Sequence, residues 1–401
     1  MAGRQTSICM INYVDNQADF FRLLSDLEES RWIALDTEFV SERHFHPQLC
    51  LIQLAYESGV AILDPLAFNN INAFWELLTQ GDHETIVHAG RADLEFCILA
   101  TGALPRKLFD TQLAAGFIGC DFPAGCANLI SKVLKVDLPN TETRTDWTRR
   151  PLTRSQLEYG IDDVRYLHPL RTYIGGRIKK LGRWSWFEED MDAWKEKLLW
   201  QFGPDRWEKL VQNSTFDQRS LAIVRELYFW RERRAQLADC PVKRILRDDL
   251  IIELARRQVY DIERIKDVRD FAQSNFAGIL EPISDAIKYA MRLPKRDLPA
   301  LMDHDPSSKM TVLGQLLYSA LGTICKQNHL AANLVGNPCD VRKWALWRMN
   351  PKQHISEPML EQGWRKLVVG NVFEELISGN MVIRVADPTS DEPLEFLRKV
   401  K

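Results

Sequence analysis

Several classes of protein are excluded by what this chain does not contain. No apolar run approaches the roughly 18 residues needed to cross a bilayer, so no membrane partner is expected. The N-terminal stretch, Met1 to Ser7, lacks the apolar segment of a signal peptide. Eight cysteines are scattered with no Cys-x-x-Cys pair, which points away from a zinc ribbon and from a disulfide framework. Cys50 and Cys97 sit in apolar runs and read as small core residues. A reducing cytoplasmic location is the expectation. Strong charge of either sign is also missing: the net charge is −3 over 401 residues. Any contact with nucleic acid would then have to come from local basic patches. Low-complexity segments are absent as well.

What remains is an ordinary globular composition, 45% hydrophobic and 27% charged, long enough for two or three domains. Up to about residue 175, strand and helix signals alternate. Residues 31–40, 48–55, 60–63 and 85–89 read as strands. Residues 74–78, 93–100 and 156–170 read as helices, the last ending near Pro169. This pattern predicts an α/β domain with a mixed sheet. Beyond about residue 185 the strand signal nearly vanishes. A run rich in tryptophan (Trp184, Trp186, Trp194, Trp200, Trp207) is expected to pack back onto the first domain. Residues 221–237 and 248–257 are helical, with Asp248 a candidate N-cap. Residues 381–385 look like a terminal strand. The expected division is 1–195, a connecting segment 196–214, an all-α domain 215–295, a second helical domain 305–380, and an extension 381–401.

Asp36-Thr37-Glu38, inside the apolar run from Ile33 to Val40, is the most telling segment. Residues i and i+2 of a strand share a face, so Asp36 and Glu38 lie side by side. Buried carboxylates without a partner are costly, and such a pair normally needs a cation. Two further acids fall in suggestive contexts: Asp93 after a buried strand, and Asp163 one helical turn from Tyr159. Phosphodiester hydrolysis needs an activated water, neutralised phosphate charge and a stabilised leaving oxygen. Two divalent ions, Mg²⁺ or Mn²⁺, about 3.5–4 Å apart, supply all three. In this reading Asp36 bridges both ions and Glu38 holds the one that carries the water. Asp93 and Asp163 complete the ligands, and Tyr159 orients the water. With an ordinary pKa of about 10, Tyr159 is a poor base at neutral pH.

Taken in order, these segments resemble ribonuclease D within the DEDD exonuclease superfamily. Asp36-Thr37-Glu38 continues into the run from Pro47 to Leu54. The second motif is matched from His88 to Glu95 and includes Asp93. The third, Tyr-x-x-x-Asp, is matched by Tyr159 and Asp163. Position 158 holds Glu rather than His, which favours the tyrosine branch. Phe109 to Ala115 and Thr145 to Leu152 add similarity. Residues 221–254, with Phe229 to Ala235 and Ala238 to Pro241, are similar to the helical HRDC module. Residues 344–379 are similar to the last helical region of that family. Residues 296–340 match it poorly, and the His44-Phe45-His46 loop departs from it. The resemblance implies a ribonuclease-H-like 3′–5′ exonuclease fold followed by HRDC-like helices. It also implies trimming of RNA with a single-stranded 3′ end, tRNA precursors above all, to nucleoside 5′-monophosphates. A DNA exonuclease of the same superfamily and a non-catalytic nucleic-acid-binding scaffold are the alternatives.

The remaining expectations concern individual side chains. Phe39 and His88 are placed on the substrate side, although His88 also reads as a supporting core histidine. Arg231, Arg233, Arg234, Lys243 and Arg244 are candidates for RNA phosphates, against the plainer reading of a solvated helical face. Asp110 reads as a capping residue, Asp162 as solvent-facing, and His44 and His46 as loop residues. The tryptophans read as packing.

Overall fold

The computed structural model describes residues 12–138, 145–211, 216–268, 271, 278–301, 311–349, 356–390 and 392–399. Two compact units emerge. One comprises residues 1–39, 49–198 and 306–401, the other residues 40–48 and 199–305.

The first unit is built on a six-stranded sheet. Its strands are β1 (Asn12–Val14), β2 (Trp32–Val40), β3 (Gln48–Tyr56), β4 (Gly59–Leu63), β5 (Glu84–Val87) and β6 (Lys107–Asp110), in the order β1-β4-β3-β2-β5-β6. β3 and β4 are antiparallel, while β2, β5 and β6 are mutually parallel. The sheet is therefore mixed, as the alternating pattern predicts. Parallel strands place their C-terminal ends together, where α/β sheets bind ligands. Here those ends carry Asp36 and Glu38 on β2, the turn after β5 that leads to Asp93, and Asp110 on β6. In β2, Ile33, Ala34 and Leu35 are fully buried, which explains why a charged pair so near them is exceptional.

Helices α1 (Gln17–Glu28), α2 (Asn72–Gln80), α3 (Arg91–Thr101), α4 (Thr111–Gly116), α5 (Cys126–Leu134), α6 (Arg154–Arg165), α7 (Leu167–Lys180) and α8 (Trp184–Trp200) follow the strands in sequence. α6 starts at a capping box: Thr153 accepts from the Gln156 N–H, and the Gln156 side chain accepts from the Thr153 N–H. This Thr-x-x-Gln pattern fixes the start of the helix that carries Tyr159 and Asp163. The expected end near Pro169 is corrected, because α7 runs on to Lys180. Pro169 lies in the first turn of α7, where backbone N–H groups have no helical partner to lose. β6, α4 and α5 carried no strong periodic signal.

Residues 306–401 belong to this same unit rather than standing apart as a second helical domain. The joints are specific. Arg183 is buried and donates to the carbonyls of Phe117, Asn328 and His329. Asp190 accepts from the Trp364 indole (3.0 Å) and from both terminal nitrogens of Arg365 (2.7 and 2.8 Å). Trp186 stacks on Trp364 with ring centroids 5.3 Å apart. The expected strand at Met381–Val385 is present and pairs antiparallel with Leu394–Arg398.

The second unit is helical: α9 (Gln218–Leu237), α10 (Val242–Ile245), α11 (Asp248–Arg257), α12 (Ile262–Lys266) and α13 (Leu280–Arg292). Leu221, Val224, Leu227, Leu250, Leu254, Ile283 and Ile287 form its core. Trp207 is part of this core, so the tryptophan-rich run divides between the two units instead of packing wholly onto the first. Asp248 is not the N-cap of α11. That position is Arg247, and Asp248, in the first turn, accepts from Arg231 at 2.6 Å.

Candidate active site

The four acids meet electrostatically. Asp36 is held well above the usual carboxylate range, first by burial of its carboxyl group and then by Asp93, Asp163 and Glu38. Glu38 is pushed up to about 8 by burial, with Asp163 and Asp93 adding to it. Burial likewise lifts Asp163 to about 7, opposed by a hydrogen bond from Tyr159. Asp93 rises to about 6, burial outweighing hydrogen bonds from Thr37 and Asp36. Tyr159 is also raised, by burial and by Asp163, Glu38 and Asp36. In this state its hydroxyl donates to Asp163 and is no base.

Among the described residues, none of the leading interactions that set these shifts comes from a lysine, arginine or histidine. Four carboxylates that repel one another and share protons are an arrangement a divalent cation relieves. Among the described residues, no three His, Cys, Asp or Glu side chains already converge as a closed metal cage. A magnesium site does not require one, since the ion keeps several waters and takes few carboxylates. The donor set, all hard oxygen, fits that group.

The surroundings explain how the acids are placed. The Thr37 N–H donates to Asp36 Oδ1 at 2.9 Å, and the Thr37 hydroxyl donates to Asp93 Oδ1 at 2.5 Å. Asp110 is 2% exposed. It accepts from the N–H groups of Ala89, Gly90, Gln112 and Leu113, so it caps α4 and clamps the turn entering α3. That turn is tight: Ala89 has φ 54°, and a Cβ on Gly90 would lie 2.5 Å from the Val87 side chain. Trp147 is buried with its ring 6.1 Å from that of Tyr159. Nearby, Arg150 donates to Asp64 and to the carbonyls of Cys50 and Trp147. The capping role of Asp110 agrees with the sequence reading, whereas the other supports were missed in the sequence. Among those others Thr37, a polar residue in a buried strand, left a local signal.

Two expected substrate residues are used differently. His88 has both ring nitrogens engaged, Nδ1 with Thr111 and Nε2 with the Ala124 carbonyl, each at 2.9 Å, and burial lowers its pKa. It supports the turn, as the reading of a supporting core histidine had it, instead of facing substrate. Arg231 is 1% exposed and donates to the Leu246 carbonyl and Asp248. It is an interior cation, unavailable to phosphate. Arg233, Arg234, Lys243 and Arg244 are exposed, and Arg244 reaches the Glu42 carbonyl at 3.4 Å. Phe39 packs edge-on against Phe96, centroids 5.5 Å apart. Asp162 pairs with Arg165. In the loop, His44 and the Phe45 N–H both bond Asp239.

Fold and site together define a 3′–5′ exonuclease with an HRDC module. The 3′–5′ exonuclease family profile matches residues 11–179, and the HRDC profile matches residues 220–278. A ribonuclease D from Gluconacetobacter diazotrophicus is 31% identical over 375 residues, covering 92% of this chain and 93% of that protein. Another from Granulibacter bethesdensis is 30% identical, covering 93% and 94%. The crystal structure of Escherichia coli RNase D, an exoribonuclease involved in structured RNA processing, superposes with a TM-score of 0.76 at 26% identity. That match covers 92% of this chain and 99% of that one. The chain belongs to the ribonuclease D family and is a 3′–5′ exoribonuclease. Divalent metal use goes with that family.

Proposed function

We propose that this chain trims the single-stranded 3′ ends of structured RNA, tRNA precursors in particular, releasing nucleoside 5′-monophosphates. The observation that carries the reading is the cluster of Asp36, Glu38, Asp93 and Asp163, in which Thr37 holds both Asp36 and Asp93 and burial first of all raises all four carboxyls. These four would hold two divalent ions, Mg²⁺ or Mn²⁺. When bound, such ions activate water and neutralise charge on the phosphate and leaving oxygen. The chain's own groups do the rest. Tyr159, braced by Trp147, directs its hydroxyl toward the attacking water. Phe39 contacts the terminal nucleotide. Arg233, Arg234, Lys243 and Arg244 meet RNA phosphates, which suits a chain whose net charge is slightly negative. Among the described residues no helix is long and apolar enough to cross a membrane. Scattered cysteines support a cytoplasmic location in this reading.

The test is a length ladder from 5′-labelled RNA and DNA oligomers in Mg²⁺, Mn²⁺ or EDTA. Stepwise shortening of RNA with either metal, none with EDTA, and slow or no shortening of DNA is the expected result. Equal shortening of DNA would make the protein a general 3′–5′ exonuclease, since a metal site alone does not sense the 2′-hydroxyl.

A further inference from the structure

We propose that Thr37 is a positioning residue that fixes two of the four carboxylates at once, an inference that rests on the metal-site reading above. Thr37 lies between Asp36 and Glu38, and strand alternation turns its side chain off the face those two share. It is 6% exposed, so its hydroxyl needs a partner inside the protein. The partner is Asp93 Oδ1, 56 positions away in the chain, and both side chains are buried. The Thr37 backbone N–H meanwhile holds Asp36 Oδ1.

The physical need for such a residue is clear. A carboxylate turns easily about its terminal torsion, which is broad rather than locked in narrow wells. Asp36 and Asp93 repel when both are ionised, and that freedom would let them swing apart before a cation binds. One bond to each removes the freedom. Threonine suits the task because β-branching restricts χ1 in a strand and so aims the hydroxyl. Valine has the same shape and no donor. Serine has the donor and a looser aim.

The experiment uses the full chain with Thr37→Val, Thr37→Ser and Asp93→Ala. Three quantities are read: kcat and KM on an RNA oligomer at saturating Mg²⁺, Mn²⁺ affinity by calorimetry without RNA, and the thermal melt in EDTA. Groups that orient metal ligands typically contribute about 10–100-fold. Thr37→Val is expected to lose that much in kcat and in Mn²⁺ affinity with KM for RNA unchanged, and Thr37→Ser to recover most of it. Wild-type kcat and Mn²⁺ affinity in Thr37→Val, beside an inactive Asp93→Ala, would overturn the proposal and leave the site intact. Equal impairment of the Val and Ser proteins would also overturn it, because the hydroxyl retained in serine would then recover nothing. Full activity in Asp93→Ala would instead remove the site reading. Should the Val protein melt below the assay temperature, Thr37→Ala replaces it, with the same contrast to Ser deciding the matter.

Discussion

Arg231 in the helical unit and Asp36 in the nuclease unit both carry charge below the surface, and the chain treats them in opposite ways. Arg231 meets the Leu246 carbonyl and the Asp248 carboxylate. Within the nuclease unit itself, Asp190 is satisfied by Trp364 and Arg365. Asp36 meets three other acids, with the Thr37 backbone N–H acting against them. Charge buried with a partner builds architecture. Charge buried against its own sign stores a demand for something the chain does not contain. The contrast separates a site from a scaffold without reference to the reaction.

The sharpest way to break this contrast is to remove each kind of acid. Asp36→Ala, Glu38→Ala, Asp93→Ala and Asp163→Ala are each expected to lower turnover by roughly 10³-fold or more, about 4 kcal/mol of transition-state stabilisation. The melt in EDTA should hold or rise for Asp36→Ala, Glu38→Ala and Asp163→Ala, since repulsion is relieved, while Asp93→Ala also strands the buried Thr37 hydroxyl. Asp190→Ala should do the reverse. It leaves Arg365 and Trp364 without their acceptor and lowers stability by about 3–5 kcal/mol, with kcat in the surviving folded protein near normal. Loss of stability in the Asp36, Glu38 or Asp163 variants would break the distinction.

Tyr159→Phe keeps the ring against Trp147 and removes only the hydroxyl. A drop of about 10²-fold in kcat is expected, within the usual range of orienting and acid–base groups, with metal and RNA affinity little changed. An unchanged kcat would take Tyr159 out of the mechanism.

Protonation sharpens the same point. Glu38 at about 8, Asp163 at about 7 and Asp93 at about 6 all lie above the value of about 4 for carboxyls in an unfolded chain. Between these values the folded chain binds more protons than the unfolded one, so stability falls as pH rises. The melting temperature in EDTA should decline between about pH 5 and about pH 8.5, and Mg²⁺ should recover more of it at the upper end. A Mg²⁺-induced shift that is flat with pH would contradict the cluster's assignment.

The smallest expected effects lie in the helical unit. Changing Arg233, Arg234, Lys243 and Arg244 to Ala should weaken RNA binding and flatten its salt dependence, by about 0.7 in log–log slope for each phosphate no longer neutralised. Arg231→Ala should leave that slope alone and lower stability by on the order of 2–3 kcal/mol, less than a fully buried pair because Asp248 is half exposed. An identical slope in the fourfold variant would return those residues to a solvated face.

Much of this was legible because it is local. Asp36 and Glu38 are two residues apart on a strand, and Tyr159 and Asp163 four apart on a helix. Each spacing maps onto a geometry the backbone repeats. The mixed sheet followed from alternating periods. What could not be read depends on distance in the chain. Nothing near Arg150 points to Asp64, and nothing near Thr37 points to Asp93. Arg231 sits in a run of charges that looks solvated, and only the fold of α9 against α11 turns it inward. His88 is held by Thr111 and Ala124, neither of which is near it in sequence. The integration of residues 306–401 with the nuclease unit rests on Arg183 and Asp190, whose partners lie far along the chain.

The central claim, that the four mutually repelling acids are a metal-dependent exonuclease centre, is tested most directly by one gel. Wild-type and Asp36→Ala proteins, both checked for folding by thermal melt, are given a 5′-labelled single-stranded RNA with Mg²⁺ or with EDTA. The account predicts a ladder descending from the 3′ end for the wild type in Mg²⁺ alone, and intact RNA in the other three lanes. A ladder from Asp36→Ala, or from the wild type in EDTA, would contradict it.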